Sequence, residues 1–220
     1  MTDLTVIFLT INNVPLQWAE YQKKVLLEAT GDFPIIAISK EPMDWGLSRV
    51  THITQEVPEG LWERTQNVYK QTLRGAEMAT TPYIAMAEDD TLYPKEHFTK
   101  FRPDLNTFAF NHTRWCMFSW ARQRPFFYMM PTCANCLMIA PRELIIKQLG
   151  GIPLSGITRR VMHRLVEPWT FYNTYEPVLC FYHINGNDSL EQSRRKKPWP
   201  IQAYQLPKWG KAKHIIQLWK

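Results

Sequence analysis

The residues best suited to chemistry in this sequence are three consecutive carboxylates, Glu88, Asp89 and Asp90. A short apolar run, residues 83–87, leads into them, and a turn follows. Carboxylates this close raise one another's pKa and destabilise a fold unless they share a cation. Oxygen ligands suit hard divalent ions, so the triplet predicts a Mg²⁺ or Mn²⁺ site that also holds phosphates. A solvated acidic turn is the alternative.

The elements before this triplet follow the pattern of an α/β domain. Residues 4–11 are nearly continuously apolar and rich in β-branched side chains, which is typical of a strand buried on both faces of a parallel sheet. Apolar residues spaced by three and four between Gly60 and Thr80 predict a helix lying on that sheet. The order β-α-β-β-α-β predicts a mainly parallel sheet, in which ligands bind beyond the carboxyl ends of the strands. The other predicted elements here are a helix after Pro15 and strands at 33–39, 50–54 and 83–87.

The second half of the sequence has a less regular pattern. The last predicted strand, residues 177–183, places His183 at its carboxyl end. A histidine there is either a metal ligand or a hydrogen-bonded structural residue. The other predicted elements are strands at 107–111, 115–120 and 136–140 and helices at 144–149 and 156–166.

The positive charge of the chain is concentrated at its C-terminus. Residues 192–220 contain eight Lys or Arg and no Asp or Glu, which leaves 18 basic against 20 acidic residues in 1–191. We therefore expect a catalytic domain at 1–191 and a basic extension at 192–220. Lys and Arg bind phosphates and aromatic rings stack on bases, although a solvated or membrane-surface strip has the same composition. The aromatic residues of the extension are Trp199, Tyr204, Trp209 and Trp219.

The four cysteines are expected to be small buried hydrophobes in a reducing compartment. Cys133 and Cys136 form a CxxC pair, but a zinc site needs a second pair or two suitably spaced histidines, which the sequence lacks. The sequence also has no apolar stretch of about 18 residues and no basic N-terminal region of a signal peptide. These features predict a soluble cytoplasmic protein without a transmembrane segment.

Taken in order, the motifs resemble those of the GT-A superfamily of nucleotide-sugar glycosyltransferases, and of its family-2-type members in particular. The segment 74–84 is similar to the Ala-x-x-x-Tyr-Ile stretch that leads into their Asp-x-Asp motif, which Glu88-Asp89-Asp90 matches. The segment 181–189 is similar to their C-terminal His-x-x-Gly segment, and 136–143 to a strand and turn near the acceptor. The chain is also similar to bacteriophage glycosyltransferases. The resemblance implies a GT-A-type, Rossmann-like sheet flanked by helices.

The resemblance also implies roles for particular residues. Asp90 and His183 would hold the metal, with Glu88 as a further ligand or a partner of the ligands, and the imidazole favours Mn²⁺ over Mg²⁺. Asp89 would face the ribose or the donor sugar, with a UDP-sugar as the preferred donor. The other residues assigned to substrate are Thr10, Ile11, Asn12 and Arg64 for the nucleotide, and Arg194, Arg195, Lys196 and Lys197 for the diphosphate or an acceptor phosphate.

The catalytic base is the point at which the sequence departs from the family pattern. The Glu-Asp pair that supplies it in family-2-type enzymes is missing, since residues 155–160 read Ser-Gly-Ile-Thr-Arg-Arg. Glu167 is the replacement that we predict, with Glu176 as the other candidate. A retaining enzyme can do without a base there, so the stereochemistry stays open.

The basic aromatic extension favours a polyanionic acceptor. DNA carrying 5-hydroxymethylated pyrimidines is the predicted acceptor, reached in the host cytoplasm if the chain is phage-encoded. Trp115, Trp120 and residues 126–128 would then form a stacking platform, although aromatic runs are also common in cores. Three alternatives remain: a glycosyltransferase acting on a surface or lipid-linked saccharide, a non-catalytic nucleic-acid-binding module, and a nucleotidyltransferase. The last lacks the glycine-rich phosphate loop expected after the first strand.

Overall fold

The computed structural model of the protein describes residues 2–120, 123–151, 167–183 and 197–219. Its first half has the predicted order β-α-β-β-α-β. The first two strands are buried along their whole length and rich in β-branched residues, and the second helix carries its apolar residues on one side, as the periodicity predicted. The elements are β1 (Leu4–Thr10), α1 (Leu16–Thr30), β2 (Ile35–Ser39), β3 (Val50–Thr54), α2 (Leu61–Met78) and β4 (Tyr83–Glu88).

The second half consists mainly of short strands. The predicted helix at 156–166 lies outside the described residues. In the described ranges, no helix is both long and apolar enough to cross a bilayer. The elements are β5 (Thr91–Leu92), α3 (Lys95–Thr99), β6 (Phe108–Asn111), β7 (Arg114–Phe118), β8 (Phe127–Met129), β9 (Met138–Pro141), α4 (Arg142–Gly150), β10 (Trp169–Tyr172), β11 (Val178–Tyr182), β12 (Gln202–Ala203), β13 (Gln205–Leu206), β14 (Gly210–Lys211) and α5 (Ala212–Ile215).

The main sheet has seven strands in the order β10-β6-β9-β4-β1-β2-β3. Parallel pairs join β3, β2, β1 and β4, whereas β9 is antiparallel to both of its neighbours. The register places Leu9 opposite Glu88, so β1 and β4 end together at one edge. This mixed, mainly parallel sheet flanked by helices confirms the predicted fold class.

Helix α2 lies against β1 through Gly75. A Cβ atom added to Gly75 would lie 2.7 Å from Cδ1 of Ile7, a fully buried residue of β1. The missing side chain therefore allows the helix to approach the sheet closely. This contact sets the distance between α2 and the end of β1, where two of the predicted nucleotide-binding residues lie.

A second sheet, in the order β12-β8-β7-β11-β5, begins where β4 ends. Strand β5 follows β4 after two residues and pairs with β11, with Thr91 opposite Cys180. The acidic triplet therefore lies at the junction between the two sheets. Pairing with β5 also brings the end of β11 towards the triplet.

The C-terminal residues 197–219 pack on α1 and on the second sheet. Trp209 and Trp219 are buried in a core with Trp18 and Phe181, and the rings of Phe181 and Trp219 stack with centroids 4.7 Å apart. The prediction that all four aromatic residues of the extension offer faces for stacking is therefore wrong for these two. Phe127 and Tyr128 of the predicted platform are likewise core residues. Each of these aromatic side chains has a large apolar area, and removing that area from water favours burial over exposure.

Candidate active site

A cavity of about 230 Å³ opens at the junction of the two sheets. One wall comes from the end of β1, the segment after β3 and helix α2, and another comes from β7 and β11. The acidic triplet also lines the cavity. Most of the site residues predicted from sequence meet here, namely Thr10, Ile11, Arg64, Glu88, Asp89, Asp90 and His183.

The imidazole of His183 lies beside Asp90. Strand β11 is held against the triplet because the Phe181 N–H donates to the Asp90 carbonyl at 2.8 Å. Two residues further on, His183 Nε2 lies 3.6 Å from Asp90 Oδ2, and the ring of Trp219 covers the imidazole with centroids 5.1 Å apart. The predicted position of this histidine at the end of a strand is confirmed, and the strand pairing explains why it reaches the carboxylates.

The carboxylates of the triplet are strongly perturbed. Desolvation, followed by the charge of Asp90, raises the pKa of Glu88 to about 8, although a hydrogen bond from Asn135 Nδ2 at 3.3 Å opposes the shift. Desolvation and the charge of Asp90 also raise the pKa of Asp89 to about 7, against a hydrogen bond donated by the Thr10 hydroxyl. The hydrogen bonds of the site thus do not offset the cost of ionising these neighbouring carboxylates together. A bound cation would relieve this repulsion.

The backbone of the triplet is anchored by helix α1 and by the turn that follows the triplet. Trp18 Nε1 donates to the Asp89 carbonyl at 2.7 Å, and Gln22 Nε2 donates to the Glu88 carbonyl at 3.2 Å. The Glu88 N–H in turn donates to the hydroxyl of Tyr93 at 3.0 Å. Trp18 and Gln22 were missed by the sequence reasoning because each looks like an ordinary residue of an amphipathic helix.

The side chains at this site could supply some, but not all, of the ligands that a divalent cation needs. Asp90 Oδ2 and His183 Nε2 are 3.6 Å apart, and two bonds of about 2.1 Å to one ion span at most about 4.2 Å. Across the described ranges, however, no three acidic, cysteine or histidine side chains form a ready-made metal site. Asp90 and His183 would therefore be the protein ligands, and water and phosphate oxygens would supply the rest, as is usual for Mg²⁺.

The wall contributed by α2 is polar. Gln55 Nε2 donates to the Thr10 carbonyl at 3.2 Å, and Asn67 and Gln71 extend this chain of hydrogen bonds along the helix. Arg64 also faces the cavity, and its Nε donates to the Pro58 carbonyl at 3.0 Å. Residues 64, 67, 68 and 71 have the spacing of one helix face, so their periodicity could have identified this wall.

Other predicted site residues lie elsewhere. Asn12 is exposed, has a φ of 55° and accepts a hydrogen bond from the Glu41 N–H, whereas its neighbour Asn13 lines the cavity. Glu167 is exposed just before β10 and does not line the cavity, and Glu176 pairs with Lys208 at 3.1 Å. Arg194, Arg195 and Lys196 lie outside the described residues, and Lys197 is exposed.

Of the cysteines, Cys116, Cys136 and Cys180 are buried, as predicted for core thiols, and Cys133 is half-buried. Cys136 and Cys180 also line the cavity. They share this wall with Arg114, a buried residue of β7 that the sequence reasoning did not single out. The alternation of Arg114, Cys116 and Phe118 with the residues between them could have placed these three on one face of a strand.

No known family model matches the sequence, and no curated protein is detectably similar to it. Solved structures are similar in fold. Residues 1–349 of TarS from S. aureus give a TM-score of 0.51 at 11% identity, over 82% of this chain and 60% of that one. The same part of TarS in complex with UDP gives 0.50 at 10% identity, over 83% and 61%.

The mannosyltransferase PcManGT from Pyrobaculum calidifontis, solved with GDP-Man and Mn²⁺, gives a TM-score of 0.50 at 14% identity, over 90% of this chain and 66% of that one. At such identities the similarity shows the fold alone, which is the GT-A-type arrangement that the sequence motifs implied. The chain spans 60 to 66% of the length of these structures.

Proposed function

We propose that this protein is a metal-dependent glycosyltransferase that moves a hexosyl or pentosyl group from a nucleotide sugar to an acceptor hydroxyl. One observation carries the proposal: the acidic triplet, His183 and the end of β1, each chosen from sequence, line a single cavity. They lie beyond the carboxyl ends of parallel strands, where α/β folds bind ligands. TarS binds UDP, and PcManGT binds GDP-Man and Mn²⁺, which supports a nucleotide-sugar donor for a chain of this fold.

In this proposal Asp90 and His183 hold the metal, Mn²⁺ or Mg²⁺. The bound ion would supply charge neutralisation for the leaving diphosphate. Glu88 supports the site as a ligand or as a partner of the ligands, and Asn135 orients its carboxylate. Asp89 is fixed by the Thr10 hydroxyl at the end of β1, where it can accept a hydrogen bond from the ribose or the sugar.

The nucleotide is proposed to bind between the end of β1 and α2. Thr10 and Ile11 line this part of the cavity together with the polar chain of Gln55 and Asn67. Amide groups in such a chain can turn a donor or an acceptor towards a base edge. Arg64 lies on the same wall and brings a positive charge towards the phosphates.

We further propose a DNA acceptor with 5-hydroxymethylated pyrimidines, reached in the cytoplasm of a phage-infected host. Exposed aromatic and basic residues of the C-terminal segment support it, since a base turned out of the duplex needs a stacking face and its phosphates need cations. Glu167 stays the proposed catalytic base, although it lies outside the cavity and would have to approach the acceptor hydroxyl in the complex. The supporting residues are Trp199, Tyr204, Lys197, Lys211 and Lys213.

A panel of donors tests the proposal without knowledge of the acceptor. Thermal unfolding is followed with UDP-, GDP- and CMP-sugars in Mn²⁺ and again in EDTA, together with slow hydrolysis of each donor. A donor at 100 times its Kd should add about 2.7 kcal/mol, which is roughly 5 to 10 °C for a chain of this size. We expect one nucleotide class to give this shift in Mn²⁺ only.

Asp90→Asn should abolish the increase in melting temperature that the donor causes. Without donor, this variant should still unfold in one cooperative transition, which shows that it is folded. Asp104→Asn, at an exposed aspartate outside the cavity, is the matched control and should keep the full shift. Equal stabilisation by a donor in EDTA would show that the metal assignment is wrong. Absence of any donor effect or hydrolysis would refute the glycosyltransferase.

A further inference from the structure

Arg114 is a buried cation on the wall of the cavity. It is the first residue of β7, opposite Val178 of β11, and only 6% of it is exposed. It lines the cavity on the wall contributed by the second sheet, whereas the proposed nucleotide-binding residues Thr10 and Arg64 lie on the wall of β1 and α2. The acidic triplet links the two walls, because β4 belongs to the main sheet and β5 to the second sheet.

The hydrogen bonds of Arg114 leave much of its guanidinium unmatched. Nη1 donates to Thr132 Oγ1 at 3.1 Å, and the ring of Tyr182 lies 5.8 Å from the guanidinium carbon. Buried Nε finds no acceptor within the part of the chain that the structure describes. A guanidinium carries five N–H donors and keeps its charge, and burying such a charge unpaired is costly.

Within the described ranges, no ion pair joins Arg114 to an Asp or Glu that would balance this charge. Three buried thiols, those of Cys116, Cys136 and Cys180, interact with the charge of Arg114. Hydrogen bonds from Cys116 and Cys136, together with the charge of Arg114, lower the pKa of Cys180. A Cys180 thiolate is therefore the alternative partner of Arg114, and a test of any other role has to exclude it.

We infer that Arg114 binds an anionic group, a phosphate or a carboxylate, carried by a substrate in this cavity. The planar fork of arginine matches both groups, and the unmatched N–H donors are available to them. The inference rests on the proposed glycosyltransferase and adds that one substrate presents an acidic group to the wall of the second sheet. Two sources share this chemistry, namely the diphosphate of the donor and an acidic substituent on the transferred sugar or the acceptor.

The test compares Arg114→Met, Arg114→Gln and Arg114→Lys with the wild type in calorimetric titrations at constant Mn²⁺. The probes are inorganic pyrophosphate for the diphosphate, and glycerol 1-phosphate and glucuronate for an acidic substituent. Met and Gln should weaken at least one probe class by tenfold or more, and Lys by less because it keeps the charge. Arg124→Gln, at an exposed arginine outside the cavity, should bind every probe as the wild type does.

The pattern of losses identifies the source. Loss of pyrophosphate affinity assigns Arg114 to the donor diphosphate, and loss confined to glycerol 1-phosphate and glucuronate assigns it to the sugar or acceptor. Because Arg114→Met removes an unpaired buried charge, its ligand-free unfolding temperature should equal or exceed that of the wild type.

Three results would overturn the inference. One is unchanged affinity of Arg114→Gln and Arg114→Met for every probe. Another is unfolding of Arg114→Met, which would make the residue structural. The last is loss of thiolate absorbance at 240 nm in Arg114→Gln with unchanged anion binding, which would make Cys180 its partner. Failure of the proposed function is separate, since it would appear as the absence of any stabilisation by, or hydrolysis of, a nucleotide sugar in the wild type.

Discussion

Without a divalent cation, the free energy of unfolding of this protein should fall as the pH rises from 5 to 8. Burial and the charge of Asp90 raise the pKa of Glu88 to about 8 from its ordinary value of 4.5, and that of Asp89 to about 7 from 3.8. In this window the folded protein holds protons that the unfolded chain releases. Raising the pH therefore favours unfolding, because stability falls wherever the folded state binds more protons.

The size of the effect follows from the number of protons held. One net proton retained on folding changes the free energy of unfolding by about 1.4 kcal/mol per pH unit. The two carboxylates interact with Asp90 and titrate as a coupled group. We therefore count one net proton kept by the folded state over about two pH units of the window between pH 5 and 8. The loss is then about 3 kcal/mol, which lowers the melting temperature by roughly 6 to 12 °C in a chain of this length.

The measurement is thermal unfolding at pH 5, 6, 7 and 8 in EDTA, repeated with Mn²⁺. Mn²⁺ should stabilise the protein most at pH 8, because at lower pH it must displace protons. The Glu88→Gln/Asp89→Asn variant should show a much flatter profile in EDTA. A wild-type profile in EDTA that rises with pH, or that parallels the profile of this variant, would refute the electrostatic account of the triplet.

Two further predictions concern the packing that supports the site. Gly75→Ala should lower the free energy of unfolding by about 1 to 2 kcal/mol in denaturant titrations, because the clash with fully buried Ile7 outweighs the helix-propensity gain of about 1 kcal/mol. Gly150→Ala, which has open space around it, should be neutral or stabilising. Equal effects of the two substitutions would show that helix α2 does not depend on a close approach at Gly75. Trp219→Ala should lower the melting temperature by roughly 10 °C, because it leaves a cavity beside Trp18, and a change below 2 °C in calorimetry would contradict the packing of the C-terminal segment.

The first half of the fold could be predicted because its signals are local. The run at 4–11 predicted a buried strand, and β1 is buried along its whole length. The strand predicted at 177–183 is present as β11, which ends one residue before His183. Short stretches of sequence are enough to predict burial on both faces of a strand and the position of turns. These elements could therefore be predicted without knowing which distant segments pair with them.

The second sheet could not be predicted, because its pairings join distant parts of the chain. Strand β11 lies beside β7 and β5, more than 60 residues earlier, and nothing local specifies that register. The same is true of the C-terminal segment, whose charge suggested an exposed strip although Trp219 packs on Phe181. The composition of this segment correctly indicates that its lysines are exposed where the structure describes them. It does not show which apolar residues pack in the core between them.

The candidate site was predictable in its residue types and less so in its arrangement. Glu88, Asp90 and His183 could be chosen because adjacent carboxylates need a shared cation and because the order of the motifs around them resembles that of GT-A glycosyltransferases. Arg114 was missed because it lies one residue before the strand predicted at 115–120, and because its burial depends on the cavity between the sheets.

The most direct test is a diffraction measurement near the manganese absorption edge on crystals soaked with Mn²⁺ and UDP. We expect one strong anomalous peak within bonding distance of the Asp90 carboxylate and His183 Nε2, next to the diphosphate. A fully bound UDP with no anomalous peak between these two side chains, or a peak elsewhere on the molecule, would contradict this expectation.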